Sequence, residues 1–550
     1  MITTSRHPRP RDGSRSHRPP RARRPLAPFP RRGQGESGGA EVAAPSSSSS
    51  SARSFPPSPL LLFLLLLLLL LLAAAIATDP DFTTAAFDNQ PIGIAADDAV
   101  AAAVDGALPA SAFGGEPRAS KADDDGHDEN NMLDGTIVCG YQGWFGFPGD
   151  GAPMDDWRHW LHRDRDGPGR PAVEMYPAIN EYDDNDLAPA PHMRMGDGSG
   201  ARFFSSARPN VVLKHFEWMR TYGIRGAFNH RFMANRDDAA LHDTRTMVLR
   251  NVRRAAEATG RMFAVSYDVT GNGNDVIDDL RDDWIALVDC EGVTGSGSYI
   301  RQSGLPVLHI WGIGFAHVNV TDLVGLGELV DWLRSEAAGK YRVFLIGGVP
   351  SRWRDQTGDS RTDPGWEEIY DSFDGIQPWH VARWRTVEEF ESYHDEVISK
   401  DAEHCAAREV LYLPTMWAGF SWHNLQKGKR PINAVPPINA IPRLGGDLLW
   451  SQAYRHVADP NVNSIWLAQF DEVDEGTAIF KVAASKSDLP VDGNWLALDA
   501  DGMSVPSDWY LRLAGEAQSM LEGKTPLSRK IPIDPDHRLT RPVENVYREE

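Results

Sequence analysis

VVLKHFEWMRTYGIRGAFNHRF, residues 211–232, sets the fold class. Val212, His215, Phe216 and Met219 recur at three- and four-residue steps, the spacing of one helix face, and Gly223 stops the helix. Gly226–Phe232 then reads as a short strand rich in aromatic side chains. A helix passed straight to a strand is the unit from which α/β proteins are built.

The unit recurs on both sides. Strands are expected at Gly135–Phe145, Gly226–Phe232, Met262–Val269, Pro306–Gly312, Val343–Val349, Gly375–Trp379, Val410–Trp417 and Ser464–Phe470. Helices are expected at Val211–Tyr222, Met247–Thr259, Val276–Val288, Asp322–Ala338, Val387–Cys405 and Gly446–Ala458. Eight strands alternating with helices predict an α/β protein with a single (β/α)8 TIM-type barrel over residues 134–550. No internal repeat of fixed period is visible.

What precedes the barrel is different in kind. Residues 1–59 hold 11 Arg, no Lys and 3 acids, with polyserine at Ser46–Ser51, and are expected to be disordered. Leu60–Ala77 is uncharged and dominated by leucine, long enough for the apolar core of a signal peptide or for a membrane anchor. Cleavage after Ala75-Ile76-Ala77 would leave Thr78 first. Retention would give a type II anchor with the arginine-rich end cytosolic, hence possible single-pass membrane anchoring. Either way a secretory-pathway, lumenal or extracellular body is expected. Residues 78–133 read as an acidic linker.

Residues 78–550 carry 45 basic and 74 acidic side chains. Such a body excludes nucleic acid as the principal partner, because that affinity is built from Lys and Arg on phosphates. No protein partner is implied. Cys139, Cys290 and Cys405 are too few for a disulfide scaffold or a cysteine zinc module.

In a barrel the chemistry belongs at the C-terminal strand ends. Those ends bring Trp and Tyr together with His and acids: Tyr141 and Trp144, His230, Tyr267 and Asp268, His309 and Trp311, and Trp417. Aromatic faces stack on sugar rings while His and carboxylates take hydroxyls, so these eight residues are expected to line a carbohydrate cleft. The last strand runs into Phe470-Asp471-Glu472-Val473-Asp474-Glu475-Gly476-Thr477. Paired carboxyls are what glycoside hydrolysis needs, one protonated to assist the leaving oxygen and one ionised. Mutual repulsion and burial raise one pKa and divide the two roles.

That string resembles the F-N-E-W-H-E-G-T signature of family 99 glycoside hydrolases, the endo-α-mannosidases, and of the related family 71. Further pieces match in order. Tyr141–Gly146 resembles Y-x-x-W-Y-G, and Tyr176-Pro177 followed by Tyr182–Asp186 resembles Y-P…Y-D-S-x-D. Leu305–Trp311 is similar to K-P-V-x-x-I-W. The nearest likeness is to family 71/99-like proteins, some labelled xylosidase or arabinosidase. The resemblance implies a (β/α)8 barrel and retaining, metal-independent hydrolysis of an α-linked oligosaccharide or polysaccharide, with no cofactor. It makes Glu472 the base or nucleophile-like carboxylate, working through the substrate's 2-hydroxyl, and Glu475 the acid. Val473 and Asp474 stand where the endo-mannosidases have Trp and His, which loosens the sugar assignment.

Two alternatives stay open. One is a catalytically inactive carbohydrate-binding barrel. The other is a metal-dependent barrel hydrolase using His230, His309, His380 and His423, although no H-x-H or H-E-x-x-H occurs. No phosphate-binding G-x-x-x-x-G-K-[ST] and no G-x-S-x-G is present. The stretch from Asp268 to Asp279 resembles a calcium loop only faintly and is expected to be a turn with a helix cap at Asn274 or Asp275. Asn319-Val320-Thr321 is a glycosylation sequon compatible with a lumenal body.

Overall fold

The computed structural model of the protein describes residues 128–164 and 167–536. The expectations for 1–59, for the apolar run 60–77 and for nearly all of the linker lie outside these residues. Among the described residues no helix is long and apolar enough to cross a membrane.

Eight parallel strand positions form one curled sheet: β1 Thr136–Tyr141, β2 Gly226–Phe232, β3 Met262–Asp268, β4 Leu305–Trp311, β5 Phe344–Val349, β6 Gly375–Pro378, β7 in two pieces Leu411–Tyr412 and Thr415–Trp417, and β8 Ser464–Ala468. All eight fall where the sequence places them. The first piece of β7 pairs with β6 and the second with β8, while β8 pairs with β1. Pro414 interrupts β7 because it has no N–H to give the ladder. Across the break Leu413 N–H donates to Ile376 O (2.9 Å) and Pro414 O accepts from Trp466 N–H (3.0 Å), so the sheet's two ends meet in one run of chain.

A helix follows each strand: α1 Pro209–Tyr222, α2 Ala239–Thr259, α3 Val276–Asp289, α4 Leu323–Arg334, α5 Gly365–Asp371, α6 as Val387–Tyr393 and Ser399–Ala407 joined by the wide turn His394–Ile398, α7 Asp447–Ala458 and α8 Trp509–Leu521. Gly223 ends α1 at φ 84°, a left-handed conformation that costs glycine nothing. Helix α2 starts eight residues before the expected Met247, because Asp238 caps it by accepting Leu241 N–H. Helix α3 starts at Val276, but Asn274 does not cap it. Its side chain accepts from Thr321 and Asp322 N–H instead (2.6 and 3.0 Å).

Register sorts the strand side chains into layers. His230, Ser266, His309 and Ile346 are partners in one layer, and Phe232, Asp268, Trp311 and Gly348 in the layer above. Between them Arg231, Tyr267 and Ile310 share the opposite face, towards the helices. Deep inside, Trp466 packs against Phe228 and His309 with ring centroids 4.8 and 4.7 Å apart. Gly140 leaves room for Gln469, whose Oε1 would lie 1.7 Å from any Cβ at that position.

Candidate active site

The turn after β8 is anchored to the turn after β1. Asp471 Oδ1 accepts Gln142 N–H (2.7 Å) and its Oδ2 accepts Gly143 N–H (3.0 Å). Burial pushes this carboxyl up to about 7 despite the two donors. The next residue, Glu472, is 4% exposed, and both of its oxygens are held. Gln142 Nε2 donates to Oε1 (2.5 Å) and Thr477 Oγ1 donates to Oε2 (2.6 Å). Burial, and then the negative charge of Asp474, push Glu472 up to about 8.

Glu475 is equally buried, at 5% exposure, yet its carboxyl receives no hydrogen bond from a described residue. Burial first, then Glu472 and Asp474, hold it well above the usual carboxylate range. Its backbone is fixed, however. Ser421 N–H donates to Glu475 O (2.8 Å), and the buried Arg443 guanidinium donates to Gly476 O (2.8 Å) and Ala478 O (2.6 Å) from behind. Asp474 Oδ2 lies 3.2 Å from His159 Nδ1, and the His159 ring stacks on Trp144 with centroids 3.9 Å apart and planes 4° from parallel. Of two mutually repelling buried glutamates, the one gripped by donors gives up its proton first and the one without them keeps its proton to higher pH.

A cavity of about 820 Å³ opens above this turn, at the C-terminal ends of the strands. Glu472, Asp474 and Glu475 form part of its wall. Of the residues expected to line a cleft, Trp144, His230, Asp268 and Trp311 do line it. Burial raises Asp268 to about 6, and it accepts from Thr270 N–H and Oγ1 (2.8 and 2.5 Å).

The other four do not line it, which corrects the sequence-based expectation. Tyr141 points away from the barrel axis and shares a hydrogen bond with His215 Nδ1 on α1 (2.9 Å). Tyr267 lies on the helix-facing layer and donates to Asp283 on α3 (2.6 Å), beside the Arg231 guanidinium on the same carboxylate. His309 shares its layer with His230 but bonds Ser266 Oγ through Nδ1 (2.7 Å) and packs against Trp466. Trp417 is fully buried against Trp384, 5.5 Å between centroids.

Sequence reasoning missed His159, Arg158, Gln142 and Asp471. The first two lie in the 142–208 insertion between β1 and α1, which carries two antiparallel hairpins and no helical or alternating pattern to mark a site. The signal for Asp471 was its place directly before Glu472. Among the described residues no three His, Cys, Asp or Glu side chains are grouped to hold a metal ion; of the strand-end histidines His230, His309 and His380 are buried, and His423 is half-buried with Nδ1 on Pro436 O.

The fold and cavity define an α/β barrel protein with a pocket on the face where such barrels carry their chemistry. No family model matches the chain, and no curated protein does. Among solved structures it is similar to the family 99 endo-α-mannosidase from Bacteroides thetaiotaomicron, at 17% identity and TM-score 0.48, over 71% of this chain and 98% of that one. It is similar to a glycoside hydrolase family 5 enzyme from Prevotella bryantii at 12% identity and TM-score 0.31, over 56% of this chain and 86% of that one. A family 51 α-L-arabinofuranosidase from Bifidobacterium longum stands at 11% identity and TM-score 0.32, over 63% and 73% respectively.

Proposed function

We propose that the protein is a glycoside hydrolase that cleaves an α-linked glycan, with Glu475 as general acid and Glu472 as the base or nucleophile-like carboxylate. The observation that carries this reading is the unequal treatment of two equally buried glutamates. Donors stabilise the ionised form of a carboxylate, so Glu472, with two, gives up its proton first. Glu475, with none, keeps its proton for the leaving oxygen.

The steps balance without a cofactor. Glu475 passes its proton to the glycosidic oxygen as the C1–O bond breaks. On a sugar whose 2-hydroxyl is trans to the leaving group, as in an α-mannoside, Glu472 takes the proton of that hydroxyl, whose oxygen closes onto C1. The Glu475 carboxylate then takes a proton from water, the water oxygen attacks C1, and the 2-oxygen recovers its proton from Glu472. Configuration at C1 is retained because it inverts twice.

Glu472→Gln and Glu475→Gln, tested on a panel of α-linked oligosaccharides and on aryl α-glycosides with an activated leaving group, separate the roles. An activated leaving group needs no acid, so Glu475→Gln keeps its bond-breaking step and loses the natural substrates by about 10²–10⁴-fold. Glu472→Gln loses both. A wild-type chain that turns over nothing in the panel refutes the assignment, and the anomer released first, read by NMR, tests retention. The apolar run 60–77 supports a lumenal or extracellular location, which protease protection of the chain in microsomes tests.

A further inference from the structure

Arg158, Arg245 and Lys429 line the cavity, and no carboxylate of a described residue lies within ion-pair distance of any of them. Partners are not scarce in a body with 74 acids to 45 basic side chains. Three other buried or half-buried guanidinium groups of the barrel are matched, Arg231 with Asp283, Arg354 with Asp401 and Arg383 with Asp359, while the buried Arg443 and Arg512 turn onto backbone carbonyls. Arg158 and Arg245 are half-buried and Lys429 is exposed, and a half-buried cation left unmatched keeps its desolvation cost until a ligand supplies the counter-charge.

The two arginines are held in place. The Arg158 backbone bridges to Gly146, and its stem lies so close that a Cβ on Gly146 would come within 3.3 Å of Cγ. Arg245 donates to Ala234 O (3.0 Å), which leaves most of its fork unused. Lys429 acts electrostatically on Glu475 and on His159, while Arg158 acts on His159 and on Arg245. Asp238 acts electrostatically on both arginines and Asp268 on Arg245, without ion-pair contact, and four of the wall's carboxylates are tied into the backbone. Asp238 caps α2 through Leu241 N–H, Asp155 accepts Gly149 N–H, Asp156 accepts Trp157 N–H and Asp268 turns onto Thr270.

We infer that Lys429, Arg158 and Arg245 form a subsite for an anionic group, a carboxylate, sulfate or phosphate, on the sugar at the leaving-group side of the scissile bond. The side follows from Glu475, which lines the same cavity as Lys429, feels its charge and is the acid that meets the leaving oxygen, so the inference rests on the hydrolase reading. A planar guanidinium pair suits the paired oxygens of any of the three anions.

Binding to the full chain is measured with glucuronate, glucose 6-sulfate and glucose 6-phosphate, and with glucose as neutral control, at low and high salt. At least one anionic sugar is expected to bind about tenfold tighter than glucose, with the advantage shrinking in salt. Arg158→Gln with Arg245→Gln is expected to bring the ratio to about one, while Arg158→Lys with Arg245→Lys, which keeps the charge, retains part of it. Melting curves show that each variant is folded. Equal binding of glucose and all three anions, or a preference that survives the double glutamine variant, overturns the subsite. Turnover of neutral α-glycans without anion preference removes the subsite alone. Arginine-dependent anion binding by a chain that hydrolyses nothing removes the hydrolase reading and leaves an anionic-glycan-binding barrel.

Discussion

Gln142, the first residue past β1, donates its side-chain amide to Glu472 Oε1 at 2.5 Å across the seam between β1 and β8. The same residue gives its backbone N–H to Asp471, so one side chain of the β8 turn sets where Gln142 lies and Gln142 in turn orients the next. The pairing of Cys139 with Leu467 that brings the two turns together is therefore also what assembles the carboxylate's donor set. Thr477 completes that set from five residues down the chain.

Removing either donor is expected to slow the chemical step more than it weakens binding. A hydrogen bond to a charged group contributes about 1.5–3 kcal/mol, which sets a loss of about 10- to 100-fold in kcat for Gln142→Ala and for Thr477→Val. With one donor gone Glu472 ionises less readily, and the acid limb of the kcat profile moves to higher pH. Steady-state kinetics from pH 4 to 9 measure both effects. An unchanged kcat in both variants would show that neither donor orients a reacting group.

Asp474→Asn has the opposite sign. The Asp474 charge raises both glutamates, so its removal lets each lose its proton at lower pH. The alkaline limb of kcat/KM, where the acid's proton is lost, is expected to move down by about one unit. His159, whose bond to Asp474 favours its charged form, loses that support in the same variant. The profile of Asp474→Asn set beside wild type tests this, and coincident profiles would contradict the electrostatic role.

The fold was legible and the site only half so, for a reason that lies in the strands. Helix periodicity and glycine stops located every barrel strand, as Gly223 and Gly226 show. Which strand residues face the cavity depends on parity, and strands buried on both faces carry no alternation of apolar and polar residues to reveal it. Every residue of β1 is buried, so Tyr141 and Gln142 look alike as candidates, yet only Gln142 faces the site. The same one-residue ambiguity put Tyr267 beside Asp268 among the expected cleft residues, and only Asp268 faces the cavity. His309 failed on neither parity nor layer, which it shares with His230, but because Ser266 and Trp466 take it up. Glu472 and Glu475 were legible because they follow the last strand, where the chain must leave the sheet whatever its parity.

Parity also predicts how the tyrosines behave on mutation. Tyr141→Phe leaves a nitrogen of the fully buried His215 without a partner, the other nitrogen being held by Tyr182 (2.7 Å). Tyr267→Phe removes one of the donors that Asp283 shares with Arg231 and His242. Each is expected to lower stability by about 1–3 kcal/mol, with little change in glycan affinity because neither ring reaches the cavity. Trp144→Ala, which strips a cavity wall and the His159 stack, is expected to weaken glycan binding. Denaturant midpoints and binding titrations on the three variants separate the classes, and loss of affinity in either tyrosine variant would restore it to the site.

Two buried groups away from the cavity are expected to tilt the stability profile in opposite directions. Asp401 keeps one oxygen on Arg354 Nε (2.7 Å) and the other without a partner, and burial lifts it to about 7. The unfolded chain releases that proton near the model-peptide value of about 3.9, so between the two values the folded state binds more protons and stability falls as pH rises. Relative to Asp401→Asn, the wild type is expected to lose about 1.4 kcal/mol per unit from pH 4 to 7. His380 is the mirror case: neither ring nitrogen has a partner and burial pushes it down to about 3. Here the unfolded state binds more protons below about pH 6.5, so stability falls as pH drops, by about 2 kcal/mol at pH 5 relative to His380→Phe. Urea unfolding of wild type and both variants at pH 5, 6 and 7 reads the two slopes. Curves that run parallel would show that neither group titrates differently on folding.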